Sequence, residues 1–140
     1  MSDANIQIVK DLYATFQRGD IEGVVAECAP DIEWHSGGGP HHPTFFEAFG
    51  PRRGPAQVHE FFRLVSELRR FDEFQPLGFY ADQDKVFVPG HALLTILPTD
   101  RQVRTDWMHV FTLRNGKVAA FREYFDTEAV AAAYRGHGTA

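Results

Sequence analysis

The sequence predicts an α+β domain in which helices come first and an antiparallel sheet follows. Apolar residues recur at helical spacing in the first half of the chain and alternate at strand spacing in the second. The dipeptide Asn115-Gly116, a strong hairpin signal, separates two of the alternating segments. Helices that precede a run of hairpins are typical of the α+β class with an antiparallel sheet.

Four helices are expected. The first carries an apolar stripe that includes Val9, Leu12 and Phe16, and Gly19 provides a natural end. Asp20 can then cap a second, short helix, so that the two helices form a hairpin. The expected helices cover residues 3–18, 21–28, 56–68 and 127–134.

Five strands are expected, one after the helical hairpin and four in a meander at the end of the chain. Pro89-Gly90 falls inside one of them, where it predicts a bend or a bulge. A strongly bent sheet forms one side of a cup. The expected strands cover residues 31–35, 71–80, 86–97, 102–113 and 117–126.

The segment between the first strand and the third helix is expected to be a loop, because Gly37-Gly38-Gly39-Pro40 cannot form regular structure. Phe45, Phe46 and Phe49 follow in the same loop. Three phenylalanines exposed to water would be unfavourable, so we expect them to fold over a cavity as a lid or an inner wall.

The length and composition fit one domain over residues 1–140. A chain of 140 residues with 44% hydrophobic residues can bury a core without disulfides. Its thirteen phenylalanines fit either a packed core or an aromatic-lined cavity, and both interpretations remain open here. The single cysteine, Cys28, lies in an apolar stretch expected to be helical, which favours a buried thiol over a nucleophile.

Charge and hydropathy exclude several classes of partner. The net charge is −5 and the arginines occur only as scattered pairs, which argues against a nucleic-acid partner. No apolar run reaches membrane-spanning length, so a membrane partner is not expected. The first residues lack the apolar region of a signal peptide, and a cytoplasmic location is expected.

Side-chain parity brings one imidazole and one carboxylate together. In the strand 102–113, His109 shares a face with Trp107, and Glu123 lies on one face of the strand 117–126. The Asn-Gly hairpin makes these strands neighbours, and if Phe111 and Phe121 both face the cup, His109 and Glu123 lie close together at its floor. A carboxylate beside an imidazole in an apolar pocket can act as an acid/base pair. The alternative is a satisfied polar pair in the core.

The other histidines offer further candidates. His35 follows Trp34 on the first strand, and one of the two must face inward. His91 lies on a central strand and is a second candidate for the inner face. His41 and His42 lie in the glycine-rich loop, where solvated side chains are expected, and no metal site is expected. No nucleotide, haem or nucleophile-elbow motif is present, so no cofactor is expected.

Five short motifs, in this order and spacing, together resemble the NTF2-like superfamily, and within it the SnoaL-like and ketosteroid-isomerase-like proteins. The resemblance implies a cone-shaped fold in which a strongly curved, mainly antiparallel sheet wraps around helices and encloses a pocket. The motifs are Gly19-Asp20, Asp31-Ile32-Glu33-Trp34, Gly54…Val58…Phe61-Phe62, Arg114-Asn115-Gly116-Lys117-Val118 and Arg122-Glu123-Tyr124-Phe125-Asp126.

The resemblance to ketosteroid isomerases also implies roles for particular positions. An acid that hydrogen-bonds the developing oxyanion occupies the position of His109 in those enzymes. Their tyrosine falls near Leu12 or Tyr13, and their base falls at about Ser36. Since a serine is no base at neutral pH, steroid isomerisation by the standard route is not expected.

A second comparison concerns the limonene-epoxide hydrolases. The resemblance places a catalytic acid at His109, a second acid at Glu123 and an arginine at Trp107. An indole cannot replace a guanidinium, so the epoxide-hydrolase triad is broken in this chain.

The sequence leaves three functions open. The first is an enzyme that performs isomerisation, cyclisation, dehydration or epoxide opening on a small hydrophobic molecule, with His109 as acid/base and Glu123 as its partner. The second is a non-catalytic binding module, and the third is an interaction domain. The expected substrate-binding residues are Tyr13, Phe16, Trp34, His35, Phe46, Phe62, His91, Trp107 and Phe125.

A homodimer is also expected, through the outer face of the sheet. The resemblance implies it, and an apolar outer face supports it because such a face needs a partner. The residues expected on this face are Met108, Val110, Val118, Ala120 and Tyr124.

Overall fold

A computed structural model describes residues 2–37 and 50–136, and it confirms the α+β class. The helices are α1 (Ser2–Gln17), α2 (Ile21–Ala26), α3 (Pro55–Leu68) and α4 (Thr127–Arg135). The strands are β1 (Cys28–Ser36), β2 (Gly50–Arg53), β3 (Arg69–Pro76), β4 (Tyr80–Asp82), β5 (Lys85–Ile96), β6 (Arg101–Arg114) and β7 (Lys117–Phe125).

The described strands form one curved, open sheet in the order β2-β1-β7-β6-β5-β3, and β4 pairs with β5. Strand β1 runs parallel to β7, whereas the other pairs are antiparallel. This mixed, mainly antiparallel arrangement is the fold that the resemblance to the NTF2-like superfamily implied. Helices α1 and α3 pack on the inner face of the sheet and close the core.

Local signals begin and end the helices as expected. Asp20 caps α2 by accepting a hydrogen bond of 2.9 Å from the backbone N–H of Gly23. Asp126 caps α4 in the same way, through the backbone N–H of Ala129 at 3.0 Å. Gly136 ends α4 in the left-handed conformation, which costs glycine little.

The start of the sheet differs from the prediction. Cys28 was expected in α2, yet it begins β1 and pairs with Val118 of β7. The backbone N–H of Val118 donates to the carbonyl of Glu27 at 2.9 Å, so pairing with β7 overrides the helical pattern at this point. Burial, together with the charge of Glu27, raises the pKa of the Cys28 thiol to about 11, so it is protonated at neutral pH. The short strand β2 was not predicted.

Pro89 and Gly90 do not produce the predicted bulge, because β5 pairs with β6 in unbroken register past both residues. Gly90 instead makes room for an indole ring. A Cβ atom on Gly90 would lie 2.1 Å from Cζ2 of Trp107, well inside van der Waals contact. The glycine therefore lets the aromatic ring lie flat against the strand.

The outer face of the sheet retains most of its expected apolar residues. Met108 and Tyr124 are register partners there, 38% and 48% exposed, and Val110 and Ala120 are partly exposed. Val118 was also expected on this face, but it is fully buried. A shift of register between Thr112 and Leu113 pairs Leu113 with Val118 and turns both into the core.

No helix in residues 2–37 and 50–136 combines the length and the apolar character that crossing a bilayer requires. The expected cytoplasmic location stays a prediction.

Candidate functional site

The inner face of the sheet carries one polar row between two aromatic rows. Each row consists of register partners on neighbouring strands, so its side chains lie next to one another. The polar row is Ser36 on β1, Glu123 on β7 and His109 on β6. The aromatic rows are Trp34–Phe121–Phe111 on one side and Phe125–Trp107 on the other.

Hydrogen bonds join the polar row to a tyrosine of α1. The Ser36 hydroxyl donates to Glu123 Oε1 at 2.6 Å, and His109 Nε2 lies 2.8 Å from Glu123 Oε2. The hydroxyl of Tyr13 lies 2.5 Å from His109 Nδ1. All four residues are largely buried; the side chain of Glu123 is 17% exposed and that of His109 is 6% exposed. A continuous chain of four polar groups therefore crosses from the helix to the sheet.

The charges in this chain fix its proton positions. Burial raises the pKa of Glu123, but the hydrogen bond and charge of His109, the Ser36 hydroxyl and the charge of Arg69 together hold it below its ordinary value. Glu123 is thus a carboxylate, which only accepts hydrogen bonds, and His109 Nε2 must carry a proton toward it. Burial, and then the charge of Glu123, raises the pKa of Tyr13, which stays a neutral phenol. When the imidazole is neutral, its Nδ1 accepts the Tyr13 O–H, and when it is protonated, its Nδ1 donates to the Tyr13 oxygen.

A cavity of about 70 Å³ lies between α1, α3 and the inner face of the sheet. Its wall is aromatic and aliphatic except where the chain of polar groups and Arg69 reach it. The lining residues are Leu12, Tyr13, Phe16, Val24, Trp34, Phe61, Phe62, Val65, Arg69, Phe71, Phe74, His109, Phe111, Phe121 and Glu123. An apolar cavity with a few convergent polar groups is the usual form of a site for a small organic ligand.

A second cavity of about 20 Å³ adjoins the first. The two share four lining residues, including Glu123 and Arg69, and the smaller one adds Trp107, Thr105 and others. The buried guanidinium of Arg69 donates from Nε to the hydroxyl of Tyr134 on α4 at 2.7 Å. This contact ties the last helix to the rim that the two cavities have in common.

The structure brings most of the sequence-predicted residues to these cavities. His109 and Glu123 line the larger one together with four of the expected binding residues: Tyr13, Phe16, Trp34 and Phe62. Trp107 and Phe125 line the smaller cavity. Phe46, with Phe45 and Phe49, lies outside the described residues. The catalytic roles assigned to His109 and Glu123 stay predictions.

Two expected histidines do not reach the cavity. His91 alternates with Gly90 and Ala92, whose side of β5 is buried, so its ring lies on the outer face, with Nε2 3.9 Å from Glu73. His35 lies between Trp34 and Ser36, which both face inward, and it lines an outer groove instead. His41 and His42 lie outside the described residues. Within residues 2–37 and 50–136, no cluster of three or more His, Cys, Asp or Glu side chains could hold a metal ion.

Sequence reasoning missed two polar members of the site. Ser36 was considered only as a misplaced base, although its spacing of two from Trp34 on one strand already places both on the same face. No sequence pattern indicated that Arg69 belongs to the site, because it is the first residue after a helix and its burial depends on how α4 packs. The expected binding residues also left out several aromatic residues of the wall, namely Phe61, Phe71, Phe74, Phe111 and Phe121.

A family model described as the SnoaL-like domain matches residues 9–121, which is most of the chain. The chain belongs to the SnoaL-like domain family. Solved structures agree with this assignment. An NTF2-like protein from Burkholderia xenovorans LB400 is 35% identical, with a TM-score of 0.82, and the match covers 95% of this chain and 97% of that one. None of the curated proteins matches the chain.

Two further solved structures are 29% identical to this chain with a TM-score of 0.80. One is an NTF2-like protein of unknown function from Burkholderia pseudomallei K96243, and the match covers 93% of this chain and 95% of that one. The other is TerC, whose crystal structure was obtained with polyporic acid, and the match covers 94% of this chain and 98% of that one.

The lowered pKa of Glu123 predicts an acid-dependent loss of stability. In the unfolded chain its pKa is near 4.5, the ordinary value for a glutamate, and in the folded protein it is lower. Its stabilising contribution is therefore complete above pH 4.5 and disappears as the pH falls through the folded pKa. We expect the urea midpoint of the wild type to fall more steeply on acidification below that pH than the midpoint of Glu123→Gln.

The matched control is Glu128→Gln, which alters an exposed carboxylate on α4. This variant should keep the wild-type dependence on pH. Parallel curves for the wild type and Glu123→Gln would contradict the assignment of Glu123 as a buried carboxylate.

Proposed function

We propose that this SnoaL-like protein binds a small hydrophobic organic molecule in its aromatic cavity and transfers protons to or from it. The single observation that carries the proposal is the buried Tyr13–His109–Glu123 chain in the cavity wall, with the heavy atoms of each link 2.5 to 2.8 Å apart. The chemistry needs only these side chains, since an imidazole held between a phenol and a carboxylate can take up and return a proton.

The geometry supports the Tyr13 hydroxyl as the group that meets the ligand. Both ring nitrogens of His109 are engaged, Nδ1 by Tyr13 and Nε2 by Glu123, so His109 acts on a ligand through the Tyr13 hydroxyl. When the ligand gives up a proton, the Tyr13 oxygen accepts it and the phenolic proton passes to Nδ1. The resulting imidazolium is stabilised by the Glu123 carboxylate, which Ser36 holds in place. In the acid direction the same transfers run in reverse.

The arrangement of these side chains resembles a nucleophile–histidine–carboxylate triad in which a phenol takes the place of the nucleophile. The carboxylate orients the imidazole and stabilises its charged form, while the outer hydroxyl touches the reacting molecule. Glu123 and Ser36 are therefore positioning residues, and Tyr13 is the catalytic residue in contact with the ligand.

Relatives support a small organic ligand and no particular reaction. TerC, at 29% identity, was crystallised with polyporic acid. The departures seen in the sequence also bear on the mechanism. Trp107 stands where the epoxide hydrolases have an arginine, and the Ser36 hydroxyl donates to Glu123 rather than serving as a base. The proposed proton transfer therefore uses a different set of groups from those two enzyme types.

A second candidate is a binding protein without catalysis. The observation in its favour is that Tyr13, His109, Glu123 and Ser36 satisfy one another, so the chain of polar groups is complete without a substrate. The two candidates differ in one measurable respect, because only the enzyme exchanges protons with its ligand.

Hydrogen–deuterium exchange tests the proposal. A panel of small ketones, comprising cyclohexanone, acetophenone and 1-indanone, is incubated with the protein in D2O, and deuterium uptake next to the carbonyl is followed by NMR. We expect the wild type to accelerate exchange for at least one ketone, and His109→Gln to reduce the acceleration by about 10²- to 10⁴-fold, the usual size of a general acid/base contribution.

The control is His91→Gln, which removes a histidine from the opposite face of the same sheet and should leave the exchange rate unchanged. Retained exchange in His109→Gln would refute the proposed role. Ketone binding without exchange in the wild type would favour the binding protein.

We also propose a homodimer formed through the outer face of the sheet. Met108 and Tyr124 lie side by side at its centre and are both exposed, which is unfavourable for large apolar side chains in a monomer. Sedimentation at micromolar concentration should give a dimer for the wild type and a monomer for Met108→Glu. The control Ser66→Glu, on an exposed position of α3, should remain dimeric. A monomeric wild type would exclude this interface.

A further inference from the structure

We propose that the indole N–H of Trp34 is a hydrogen-bond donor to the cavity's ligand, and that the ligand therefore carries a carbonyl-type oxygen beside its hydrophobic ring. The inference rests on the proposed function only in taking the cavity to be the ligand site. It adds a chemical class of ligand and a residue that recognises it, independent of whether proton transfer follows.

The first step is that the Trp34 N–H is buried without an acceptor. Trp34 is 4% exposed and lines the larger cavity. Its Nε1 is out of contact with water and makes no hydrogen bond to any part of the chain that the structure describes. Buried tryptophan N–H groups normally have a partner, because burying the donor alone loses its hydrogen bond to water.

The second step concerns the surroundings of this indole. Its ring stacks on Phe121 with centroids 4.0 Å apart and meets the rings of Phe61 and Phe62 at 5.7 and 5.4 Å. These neighbours are hydrocarbon rings and supply no acceptor. Trp34 lines both the larger cavity and the outer groove, and we take the larger cavity, which is the ligand site of the proposed function, as the source of the acceptor.

The third step selects the type of oxygen. The indole N–H only donates, so the ligand group must accept. A hydroxyl group would bring a proton of its own, which the phenylalanine rings around the indole cannot accept. The nearby polar groups, Glu123 and His109, already accept hydrogen bonds within the polar chain. A carbonyl oxygen, or the enolate oxygen formed from it, accepts without donating and leaves no polar atom unsatisfied.

The position of Trp34 agrees with this assignment. Trp34 stands two residues from Ser36 on β1, in the aromatic row directly beside the polar row. A ligand oxygen at Trp34 would thus lie on the side of the cavity adjacent to the Glu123–His109 pair. One ligand can then meet the indole with its oxygen and the Tyr13 hydroxyl with a neighbouring atom.

The chain contains a natural control in its other tryptophan. Trp107 is also 95% buried, and its Nε1 likewise lacks an acceptor among the described residues. Its ring, however, lies flat on Gly90 and lines only the cavity of about 20 Å³, together with the polar residues Arg69, Thr105 and Glu123. A space of that size and polarity suits a water molecule rather than an organic ligand. The indole N–H of Trp107 is therefore not expected to form a hydrogen bond with a ligand oxygen.

The experiment compares two probes of the same shape. Acetophenone presents a carbonyl oxygen, and α-methylstyrene replaces that oxygen with a CH2 group. Because the chain has only two tryptophans, a ¹⁵N-labelled sample gives two indole N–H resonances, and Trp107→Phe assigns them. We expect acetophenone to move the Trp34 resonance downfield, as hydrogen bonding does, and α-methylstyrene to lack this effect.

The affinity of each probe gives a second, independent measurement. Trp34→Phe keeps an aromatic ring but removes the donor, so it should weaken acetophenone binding by about fivefold to tenfold, the usual effect of one hydrogen bond. Binding of α-methylstyrene should change much less. The control Trp107→Phe should leave the preference for acetophenone intact.

The failures of this inference and of the proposed function are distinguishable. Equal weakening of both probes by Trp34→Phe, identical shifts of the Trp34 resonance, or no binding of either probe would overturn the inference. A Trp34-dependent preference for the ketone in a protein that catalyses no proton exchange would uphold the inference and refute the catalytic proposal.

Discussion

The Tyr13→Phe variant is expected to lose its proton-exchange activity by about 10²- to 10⁴-fold while remaining folded. The reason is geometric, because the Tyr13 hydroxyl is the end of the polar chain that can meet a ligand once His109 is held on both sides. Removing that oxygen leaves the imidazole and Glu123 in place but breaks the path of the proton. The measurement is deuterium uptake by the ketone panel.

The same variant has a smaller structural consequence. His109 Nδ1 loses its only hydrogen-bond partner among the described side chains, which costs about 1–3 kcal/mol for a buried group. Urea unfolding should show this loss, with an unchanged slope. The control Tyr80→Phe removes the hydroxyl of a tyrosine that is 62% exposed, and it should alter neither activity nor stability. Full activity in Tyr13→Phe, with none in His109→Gln, would show that His109 contacts the ligand directly.

Gly90→Ala is expected to destabilise the protein by about 3 kcal/mol, the upper part of the range for overpacking a core. The new methyl group would lie 2.1 Å from Cζ2 and 2.4 Å from Cη2 of Trp107. The indole cannot simply turn away, because it stacks on His109 with centroids 3.9 Å apart and on Phe74 at 5.0 Å. Relief of the clash must therefore displace the imidazole as well as the strand. Thermal or urea unfolding measures the effect.

A double-mutant cycle tests the cause of that loss. If the clash with the indole is responsible, Gly90→Ala should cost much less in a Trp107→Leu background, since the smaller side chain leaves space for the methyl group. An equal cost in both backgrounds would place the origin in the backbone of β5 rather than in the indole. Because the displaced ring contacts His109, the single variant should also reduce proton exchange.

The sequence alone predicted the structure correctly where the spacing of apolar residues within one strand or helix determines it. In β6, alternation alone put Trp107 and His109 on one face, and the Asn115-Gly116 turn made β7 the neighbour of β6. With the further assumption that Phe111 and Phe121 both face the cup, these two facts placed Glu123 beside His109, and the structure has the two side chains 2.8 Å apart. The alternation gave the wrong face for Val118. One extra residue in β7 near the turn shifts the register, so the side chains of that strand beyond the shift point to the opposite face from those before it.

Tyr13 shows why other parts of the site were not predictable. The helical stripe of α1 indicated that Leu12 and Tyr13 both face the sheet, but it does not say which of them meets a particular strand residue. That depends on the position and rotation of α1 over a sheet strand that lies 96 residues further along the chain. The burial of Arg69 depends in the same way on the packing of α4, through Tyr134.

The sequence by itself determined the α+β class, the order of the main helices and strands, and the shared face of Trp107 and His109 on β6. These properties follow from periods of 3.6 and 2 residues and from turn residues, which act over a few neighbouring positions. Only the tertiary structure decided that Tyr13 and Ser36 complete the polar chain, that His35 and His91 face away, and that the Trp34 N–H meets no acceptor among the described residues. Those properties depend on side chains from distant segments converging on one small volume, and no local pattern encodes the distance between them.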